Sequence, residues 1–168
     1  MKIVMNVRKV KAARAGDKEA FSDLIRECTP DLYKAARAIL NDDSDCADAM
    51  QDAILTAWEK LDQLKTDEYF RTWLTRILIR ACYRIREEHQ RMSVQEDFAE
   101  EAAFDTGYMD FEWRDILARL REEHRIVIIL YYAEGYKISE IAQILDLNEN
   151  TVKSRLKAAR AAYEQQIR

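Results

Sequence analysis

The chain has 168 residues, 48% of them apolar and 35% charged, a composition typical of folded proteins that stay in water. Three glycines and one proline supply little turn chemistry, so the sequence predicts an all-α fold. It shows neither a signal-peptide core nor the roughly 18 consecutive apolar residues of a membrane span. We therefore expect a cytoplasmic protein.

The three cysteines, Cys28, Cys46 and Cys82, are odd in number and far apart, without a CxxC motif. This spacing predicts buried free thiols rather than a disulfide framework or a zinc site. His89 and His124 are isolated, and no nucleophile and base have a spacing typical of an enzyme. We accordingly expect no catalytic residues, no metal site and no cofactor.

The net charge of -4 is unevenly distributed along the chain. Residues 1–92 have a net charge of +1 and residues 113–168 a net charge of +2, whereas residues 93–112 carry seven acids and no base. The acidic stretch lacks helical periodicity and contains Gly107, which is typical of a solvated linker. The sequence thus predicts two small helical domains, at residues 1–92 and 113–168, joined by an acidic linker at residues 93–112.

Five helices are predicted before the linker. Gly16 favours the end of the first helix, and Asp17 is a suitable N-cap for the second. Pro30 favours a break and a new helix, because proline is tolerated in the first turn. The predicted helices cover approximately residues 4–15, 18–28, 31–40, 46–61 and 68–90.

The fifth predicted helix has two distinct faces at about 100° per residue. Its apolar face holds Phe70, Leu74, Ile77, Leu78, Ala81 and Ile85. The opposite face holds Arg76, Arg80, Tyr83 and Arg84, with Ile79 beside them at an expected exposed position. Arginine interleaved with aromatic side chains suits the phosphates and bases of a single nucleic-acid strand. An ordinary solvated face is the alternative.

Beyond the linker, residues 113–121 and 123–134 predict two helices, the second ending at Gly135. Residues 138–163 then predict a helix-turn-helix. Ser139 is a suitable N-cap for its first helix and Asn148 for its second, while Asp146 tolerates the left-handed backbone of the turn. The residues predicted to point inward are Leu117, Leu120, Ile126, Val127, Ile129, Leu130, Ile141, Ala142, Leu145, Val152, Leu156, Ala159 and Tyr163.

The outer face of the last helix carries Asn150, Thr151, Lys153, Ser154, Arg155 and Lys157. Short polar and cationic side chains of this kind donate hydrogen bonds to base edges and phosphates in a DNA major groove. A helical hairpin with a polar exterior is the alternative. The small Ala142 at the helix crossing, the capped turn and the basic exterior together favour DNA binding.

Four stretches resemble bacterial RNA polymerase sigma factors, specifically the extracytoplasmic-function (ECF, group 4) subfamily of the sigma-70 family. In chain order they read RAGDKEAFSDLI, DCADAMQDAILTAWEKL, FRTWLTRILIRACYRIRE and EIAQILDLNENTVKSRLKAAR. They resemble the start of the first sigma domain, its polymerase-binding helix, its promoter-melting helix and the helix-turn-helix of the second domain. The resemblance covers residues 8–168.

This resemblance implies an initiation factor rather than an enzyme: an alternative sigma factor, for a stress or envelope response, that directs core RNA polymerase to specific promoters. The positions that contact the clamp of the largest polymerase subunit correspond to Asp48, Gln51 and Asp52. The family usually has Glu where this chain has Ala47. The second domain would bind the flap of the second-largest subunit. It would read the duplex −35 element through Ser139, Asn150, Thr151, Lys153, Ser154, Arg155 and Lys157.

By the same resemblance, the first domain would melt the −10 element and bind its single strand. A loop at residues 64–67 would hold a flipped base, with Lys65, Thr66 and Asp67 as candidate contacts. The path of the strand would be lined by Arg76, Arg80, Tyr83 and Arg84. The family often has Asn where Arg80 stands. Unstacking a base costs on the order of a few kcal/mol, which stacking and phosphate contacts must offset.

The resemblance also gives the acidic linker a role, because in the family this segment threads the polymerase cleft toward the RNA exit path. Its net charge of -7 would suit a basic channel. The family further implies an anti-sigma factor, often membrane-anchored, that masks the DNA- and polymerase-binding faces.

Two other functions are compatible with parts of the sequence. A stand-alone helix-turn-helix regulator of duplex DNA would explain residues 138–163 but not the arginine-rich helix at residues 68–90. An all-helical interaction protein without a nucleic-acid role, such as an adaptor, is the second alternative.

Overall fold

The computed structural model describes residues 4–92 and 111–167. These residues form helices joined by short turns, with no strand among them, which confirms the all-α prediction. The predicted linker lies outside the described residues except for its last two, which begin a helix. Within the described ranges, no helix is long and apolar enough to cross a bilayer.

The N-terminal segment, residues 4–92, contains α1 (Val7–Arg14), α2 (Lys18–Ile39), α3 (Asp43–Glu59) and α4 (Phe70–Met92). Short 3-10 turns at Leu61–Gln63 and Asp67–Tyr69 lie between α3 and α4. The C-terminal segment, residues 111–167, contains α5 (Phe111–Ala118), α6 (Glu122–Ile128), α7 (Ile138–Leu145) and α8 (Glu149–Ile167). A π-helical turn at Ile129–Ala133 extends α6.

Side-chain caps fix the first two helices. Asn6 accepts two backbone N–H hydrogen bonds at the start of α1. Asp17 accepts two more at the start of α2, as predicted. Between the helices Gly16 has a φ of +104°, a conformation that favours glycine. Local sequence therefore determines where α1 ends and α2 begins.

The predicted break at Pro30 is wrong, because α2 continues through this residue without interruption. Proline removes one backbone hydrogen bond and disfavours a helix interior. Here the core holds the helix together, since Cys28 and Leu32, on either side of Pro30, are both buried. In the same turn the Thr29 hydroxyl donates to the Ile25 carbonyl at 2.7 Å. Packing therefore overrides the local preference.

Helix α4 lies at the centre of the N-terminal segment and packs against α2 and α3. Its Phe70 and Leu74 are fully buried, as the predicted apolar face requires. Phe21 of α2 lies between Phe70, with ring centroids 6.4 Å apart, and Trp58 of α3, at 5.0 Å. Each large apolar side chain buried in this way stabilises the fold by about 1.5–3 kcal/mol. This core fixes the direction in which the arginines of α4 project.

Helices α7 and α8 form the predicted helix-turn-helix. The inward residues of α7 are buried: Ile141, Ala142 and Leu145. Asp146 ends α7 in the left-handed conformation, with φ 57° and ψ 46°. Asn148 then accepts the backbone N–H of Thr151 at 2.8 Å and caps α8, as predicted.

The predicted capping role of Ser139 is wrong. Helix α7 begins at Ile138, with Lys137 as the N-cap residue. The carboxylate of Glu140 accepts the backbone N–H of Lys137 at 2.8 Å, one of the two bonds of a capping box. Ser139 therefore lies inside the first turn, with an exposed side chain.

The two segments pack against each other. Helix α7 lies against α4, while α6 and the π-helical turn lie against α2. The expected exposure of Ile79 is wrong, because this residue is 1% exposed. Its neighbours on α4, Thr75 and Arg76, contact Tyr136 and Asp146 of the C-terminal segment. The second segment thus covers part of the face that the helical pattern of α4 leaves open.

Candidate nucleic-acid interface

Helix α8 presents a polar side to solvent. The predicted DNA-binding residues Asn150, Lys153, Ser154 and Lys157 are exposed, and Thr151 and Arg155 are half-buried. Val152, Leu156 and Ala159 are buried on the opposite side of the helix, against the rest of the C-terminal segment. The three cations of this set, Lys153, Arg155 and Lys157, form no ion pair with the described residues. The structure therefore leaves this side of α8 available for a ligand.

A shallow pocket of about 400 Å³ adjoins this side of α8. It is lined by Asn148, Asn150, Thr151, Ser154, Arg155, Ala158 and, from α6, His124. The sequence predicts no catalytic or metal-ligating partner for His124. It is brought to the pocket by the packing of α6 against α8, which no spacing in the sequence could show. Ser139, the remaining predicted contact, lies exposed on the first turn of α7.

The predicted strand-binding arginines of α4 differ in how accessible they are. Arg80 is exposed and has no ion-pair partner within the described residues. Arg84 is paired with Asp52 of α3. Arg76 lies on the side covered by α7, 3.7 Å from the carboxylate of Asp146. Of these three arginines, only Arg80 is therefore both exposed and free of an ion pair with the described residues, and so accessible to a ligand.

Tyr83 is half-buried rather than exposed. The guanidinium of Arg86 lies 4.7 Å from the centroid of its ring, a cation–π contact. Burial raises the pKa of the Tyr83 phenol, and the negative charge of Glu122 adds to the increase, while Arg86 and Arg155 lower it. The ring of Tyr83 thus lies where α4 meets residues of both α6 and α8.

Two carboxylates of the C-terminal segment reach this face of α4. Glu122, the first residue of α6, is hydrogen-bonded to Arg86, and Asp146 approaches Arg76. Burial lowers the pKa of the Arg86 guanidinium, but the hydrogen bond to Glu122 together with the negative charges of Glu122 and Glu87 raises it overall. Neither acid can be placed near α4 from the sequence, because both contacts join residues more than 30 positions apart.

A buried polar cluster joins the two segments, and we call it the interdomain cluster. Its centre is Arg71 of α4, which donates to the Asp31 carboxylate at 3.0 Å and to the Glu134 backbone carbonyl at 2.7 Å. The guanidinium also lies 4.1 Å from the ring centroid of Tyr136. The Tyr136 hydroxyl is 2.9 Å from the Thr75 hydroxyl. All five residues are buried, so water is excluded from these contacts.

The carboxyl group of Glu134 is fully buried in the interdomain cluster, and neither of its oxygens has a hydrogen-bond partner among the described residues. Burial raises its pKa well above the ordinary value, and the charge of Asp31 adds to the increase. Arg71 and Lys34 lower the pKa but do not offset the burial. The packed arrangement therefore favours the protonated form of Glu134, which leaves Arg71 and Asp31 as a balanced pair.

The predicted base-holding loop lies directly before α4. Lys65 and Thr66 are exposed there, while Leu64 is buried and anchors the loop in the core. Asp67 is paired with Arg14 of α1 at 2.7 Å. Two of the three candidate side chains are thus open to solvent, and the third also ties the loop to α1.

The predicted polymerase-binding residues share one face of α3. Asp48 and Gln51 are exposed, and Asp52, one residue further, is half-buried beside Arg84. Leu55 is 63% exposed on the same face, one turn after Gln51. A single exposed leucine is common on protein surfaces, so Leu55 alone does not identify an interface. Leu55 was not among the predicted contacts.

Comparison with known families places these features in context. Residues 14–92 match the family model for Sigma-70 region 2, and residues 110–162 match the model for Sigma-70, region 4. The two matches include α2–α4 and the helix-turn-helix. The chain belongs to the sigma-70 family of RNA polymerase sigma factors, in its extracytoplasmic-function (ECF) group.

Individual relatives agree with this assignment. The chain is 31% identical over 159 residues to the ECF RNA polymerase sigma factor SigM of Mycobacterium tuberculosis, covering 93% of this chain and 81% of that protein. It is 28% identical over 178 residues to the ECF RNA polymerase sigma-E factor of Escherichia coli, covering 94% and 92% of the two chains.

Two solved structures have a similar fold. One is CnrH in complex with the cytosolic domain of CnrY, with a TM-score of 0.70, 26% identity and 96% of each chain covered. The other is the sigma factor RpoE of Bartonella quintana in complex with the anti-sigma factor NepR, with a TM-score of 0.73 and 25% identity. That match covers 87% of this chain and 97% of the other.

Proposed function

We propose that the protein is an alternative sigma factor that binds core RNA polymerase and directs it to specific promoters. The observation that carries the proposal is the presence of two helices with basic faces, α4 and α8, in separate helical segments of one chain. A stand-alone regulator of duplex DNA would need only α8 and would leave the basic face of α4 unexplained. We take residues 1–92 and 113–168 as the two functional domains and residues 93–112 as their linker.

In this proposal the helix-turn-helix reads the duplex −35 element. Helix α8 would enter the major groove with Asn150, Ser154 and Lys157 towards the bases or phosphates. Ser139, Thr151, Lys153 and Arg155 would contact the flanking backbone. His124 lines the same pocket and would join them. Phosphate contacts of this kind set the position of the protein on DNA and make binding sensitive to salt.

The N-terminal domain would bind the separated non-template strand of the −10 element. Arg76, Arg80 and Arg84 would contact its phosphates, and Tyr83 would stack on a base. Lys65, Thr66 and Asp67 would hold a flipped base at the start of α4. These roles require the strand to run along the face of α4 that the C-terminal segment partly covers in the structure.

Polymerase binding is assigned to the exposed face of α3. Asp48, Gln51 and Asp52 would contact the clamp of the largest subunit, and Leu55 would supply an apolar contact at the centre of this polar surface. The C-terminal domain would bind the flap of the second-largest subunit. An anti-sigma factor is the third expected partner, because the two similar solved structures are complexes with the cytosolic domain of CnrY and with the anti-sigma factor NepR. The protein would act in the cytoplasm, in a stress or envelope response.

Reconstitution with core RNA polymerase tests this proposal. The protein should support promoter-dependent transcription from a fragment library of the source genome, and core polymerase alone should not. If no template gives initiation while the protein alone protects duplex sites tightly, the protein is a stand-alone regulator instead.

Paired variants test the division of labour. Arg155→Ala with Lys157→Ala should weaken use of the −35 element. Arg76→Ala with Arg80→Ala should impair strand opening and leave polymerase binding unchanged. Glu164→Gln, on the exposed end of α8, provides a control outside both faces. If both pairs weaken the same step, the assignment of separate roles is wrong.

A further inference from the structure

The predicted base-holding loop is anchored at both ends by the core. Leu64 and Phe70 are 2% and 0% exposed, and between them residues 65–69 include no buried side chain. The loop closes on itself through a backbone hydrogen bond from the Tyr69 N–H to the Thr66 carbonyl at 3.0 Å. Between its two anchors, the loop is therefore positioned by whatever its side chains contact elsewhere in the protein.

Among the described residues, a single ion pair ties the side chains of this loop to another element. Arg14 Nη1 donates to Asp67 Oδ1 at 2.7 Å, across 53 positions of sequence. The Asp67 side chain is only 14% exposed as a result, whereas Lys65 and Thr66 just before it are exposed. The position of Asp67 thus depends on Arg14.

Arg14 is itself held by a packed helix. It is the last residue of α1, in which Val10 and Ala13 are buried, and Gly16 ends the helix with a φ of +104°. Helix α1 packs against α2 and against the turn that contains Asp67. A guanidinium presents its donors in a rigid planar fork, so it fixes a bound carboxylate more closely than a flexible ammonium would.

The ion pair leaves one oxygen of Asp67 unused. Oδ1 accepts from Arg14, whereas Oδ2 has no hydrogen-bond partner among the described residues. An ionised carboxylate accepts hydrogen bonds and donates none. Cytosine and adenine present an amino donor at the position where thymine and guanine present a carbonyl acceptor. A carboxylate oxygen in a fixed position therefore favours cytosine and adenine and disfavours the other two bases.

We propose that Arg14 is a positioning residue for promoter recognition, which holds Asp67 so that Oδ2 accepts the amino group of a flipped cytosine or adenine. The inference rests on the proposed role of residues 64–67 as the base-holding loop, and it adds the chemical class of the base. Arg14 acts through Asp67 and does not touch the strand. Lys65 forms no ion pair with the described residues and remains available to a neighbouring phosphate.

Selection from a random pool of single-stranded DNA tests the inference in the holoenzyme reconstituted with core RNA polymerase. The pool has about 12 random nucleotides, and sequencing of the bound fraction gives the base preference at each position. Arg14→Met removes the guanidinium and keeps an unbranched side chain. The matched control is Lys9→Met, which breaks a second ion pair of α1, with Glu27 at 2.7 Å, and leaves the loop untouched.

We expect the unmodified holoenzyme to enrich cytosine or adenine about tenfold over guanine and thymine at one position, the effect of one hydrogen bond to a charged group. Arg14→Met should reduce this preference to about twofold, because the released side chain of Asp67 samples many positions. Arg14→Lys should retain part of the preference, and Lys9→Met all of it. Asp67→Asn should admit guanine and thymine, because an amide also donates to carbonyl oxygens.

Two results would overturn the positioning role of Arg14. One is a base preference that persists undiminished in Arg14→Met. The other is an equal loss of binding in Arg14→Met and Lys9→Met that is the same for all four bases, since this would show an effect on stability alone. An unmodified holoenzyme that binds the pool without preferring amino bases at any position would instead overturn the base-holding role of the loop, and the inference with it.

Discussion

Helices α4 and α8 carry similar side chains but differ in accessibility. On α8, Lys153, Arg155 and Lys157 form no ion pair with the described residues, and the side that carries them faces solvent. On α4, Arg76 and Arg84 are paired with acids, and the intervening Ile79 is buried. A basic helix pattern thus indicates which ligand a surface can bind. Whether the surface is available depends on what packs against it.

This difference has a functional consequence. In the structure the proposed −35-reading side of α8 is open to solvent, whereas the proposed strand-binding side of α4 is partly covered by the C-terminal segment. Non-specific contacts by α8 alone offer few cations and are weak at physiological salt. Polymerase would hold both readers on one promoter and raise their effective concentration.

The largest expected effect is a loss of stability when the buried ion pair of α4, Arg71 with Asp31, is broken. The exposed pair of the same helix, Arg84 with Asp52, provides the comparison. Arg71→Met should lower the free energy of unfolding by about 3–5 kcal/mol, because it leaves the buried Asp31 carboxylate without its counter-charge. Arg84→Met removes an exposed pair with Asp52 and should cost at most about 1 kcal/mol. Urea unfolding measures both losses. Equal losses would show that the buried Arg71–Asp31 pair contributes no more to stability than the exposed Arg84–Asp52 pair.

An intermediate effect concerns the pH dependence of segment packing. Glu134 is faced by Asp31 and Lys34 of α2 and by Arg71 of α4, and burial raises its pKa well above the ordinary 4.5. The packed form therefore binds a proton at Glu134 more tightly than a form in which Glu134 is exposed. Above pH 4.5 each further unit favours separation by up to about tenfold, until the pKa of the packed form is reached.

Glu134→Gln should remove this dependence, because glutamine stays neutral in both forms. Fluorescent labels on Asp62→Cys and Gln165→Cys, exposed positions in the two segments, report how far apart the segments are. The label distance, measured from about pH 5 to 8, should lengthen with pH when Glu134 is present and stay constant in the Glu134→Gln variant. The same lengthening in both proteins would assign the titration to another group.

The smallest expected effect concerns the turn of the helix-turn-helix. Asp146→Gly places glycine at a φ of 57° and should raise the thermal stability of the protein slightly, by at most about 1 kcal/mol. The ion pair with Arg76 is exposed at the Asp146 end, so its loss should not outweigh the relief of backbone strain. A clear loss of stability would show that this pair holds the segments together more strongly than its exposure indicates.

Much of the fold follows from local sequence. Asp17 and Asn148 are caps whose carboxylate and amide oxygens accept backbone N–H groups, and Gly16 adopts a positive φ. The core residues predicted after the linker, such as Leu117 and Ile126, are buried. These features depend on residues within one or two turns, so their patterns can be read directly.

The wrong predictions concern positions whose conformation or burial depends on residues far away in the sequence. Pro30 lies inside a helix because the core holds both flanking turns, and Ile79 is buried because the C-terminal segment covers it. The acids Glu122 and Asp146 meet α4 only through the packing of the two segments. The sequence pattern therefore predicts two basic helices but not which of their arginines are paired with acids.

The label distance between positions 62 and 165 tests the central claim most directly, when measured in the free protein and again in complex with core polymerase and promoter DNA. We predict one short distance in the free protein and a distance longer by tens of ångströms, on the order of 50 Å, in the promoter complex. A long distance in the free protein, or the same distance in both states, would contradict the packing of the two segments against each other in the free protein.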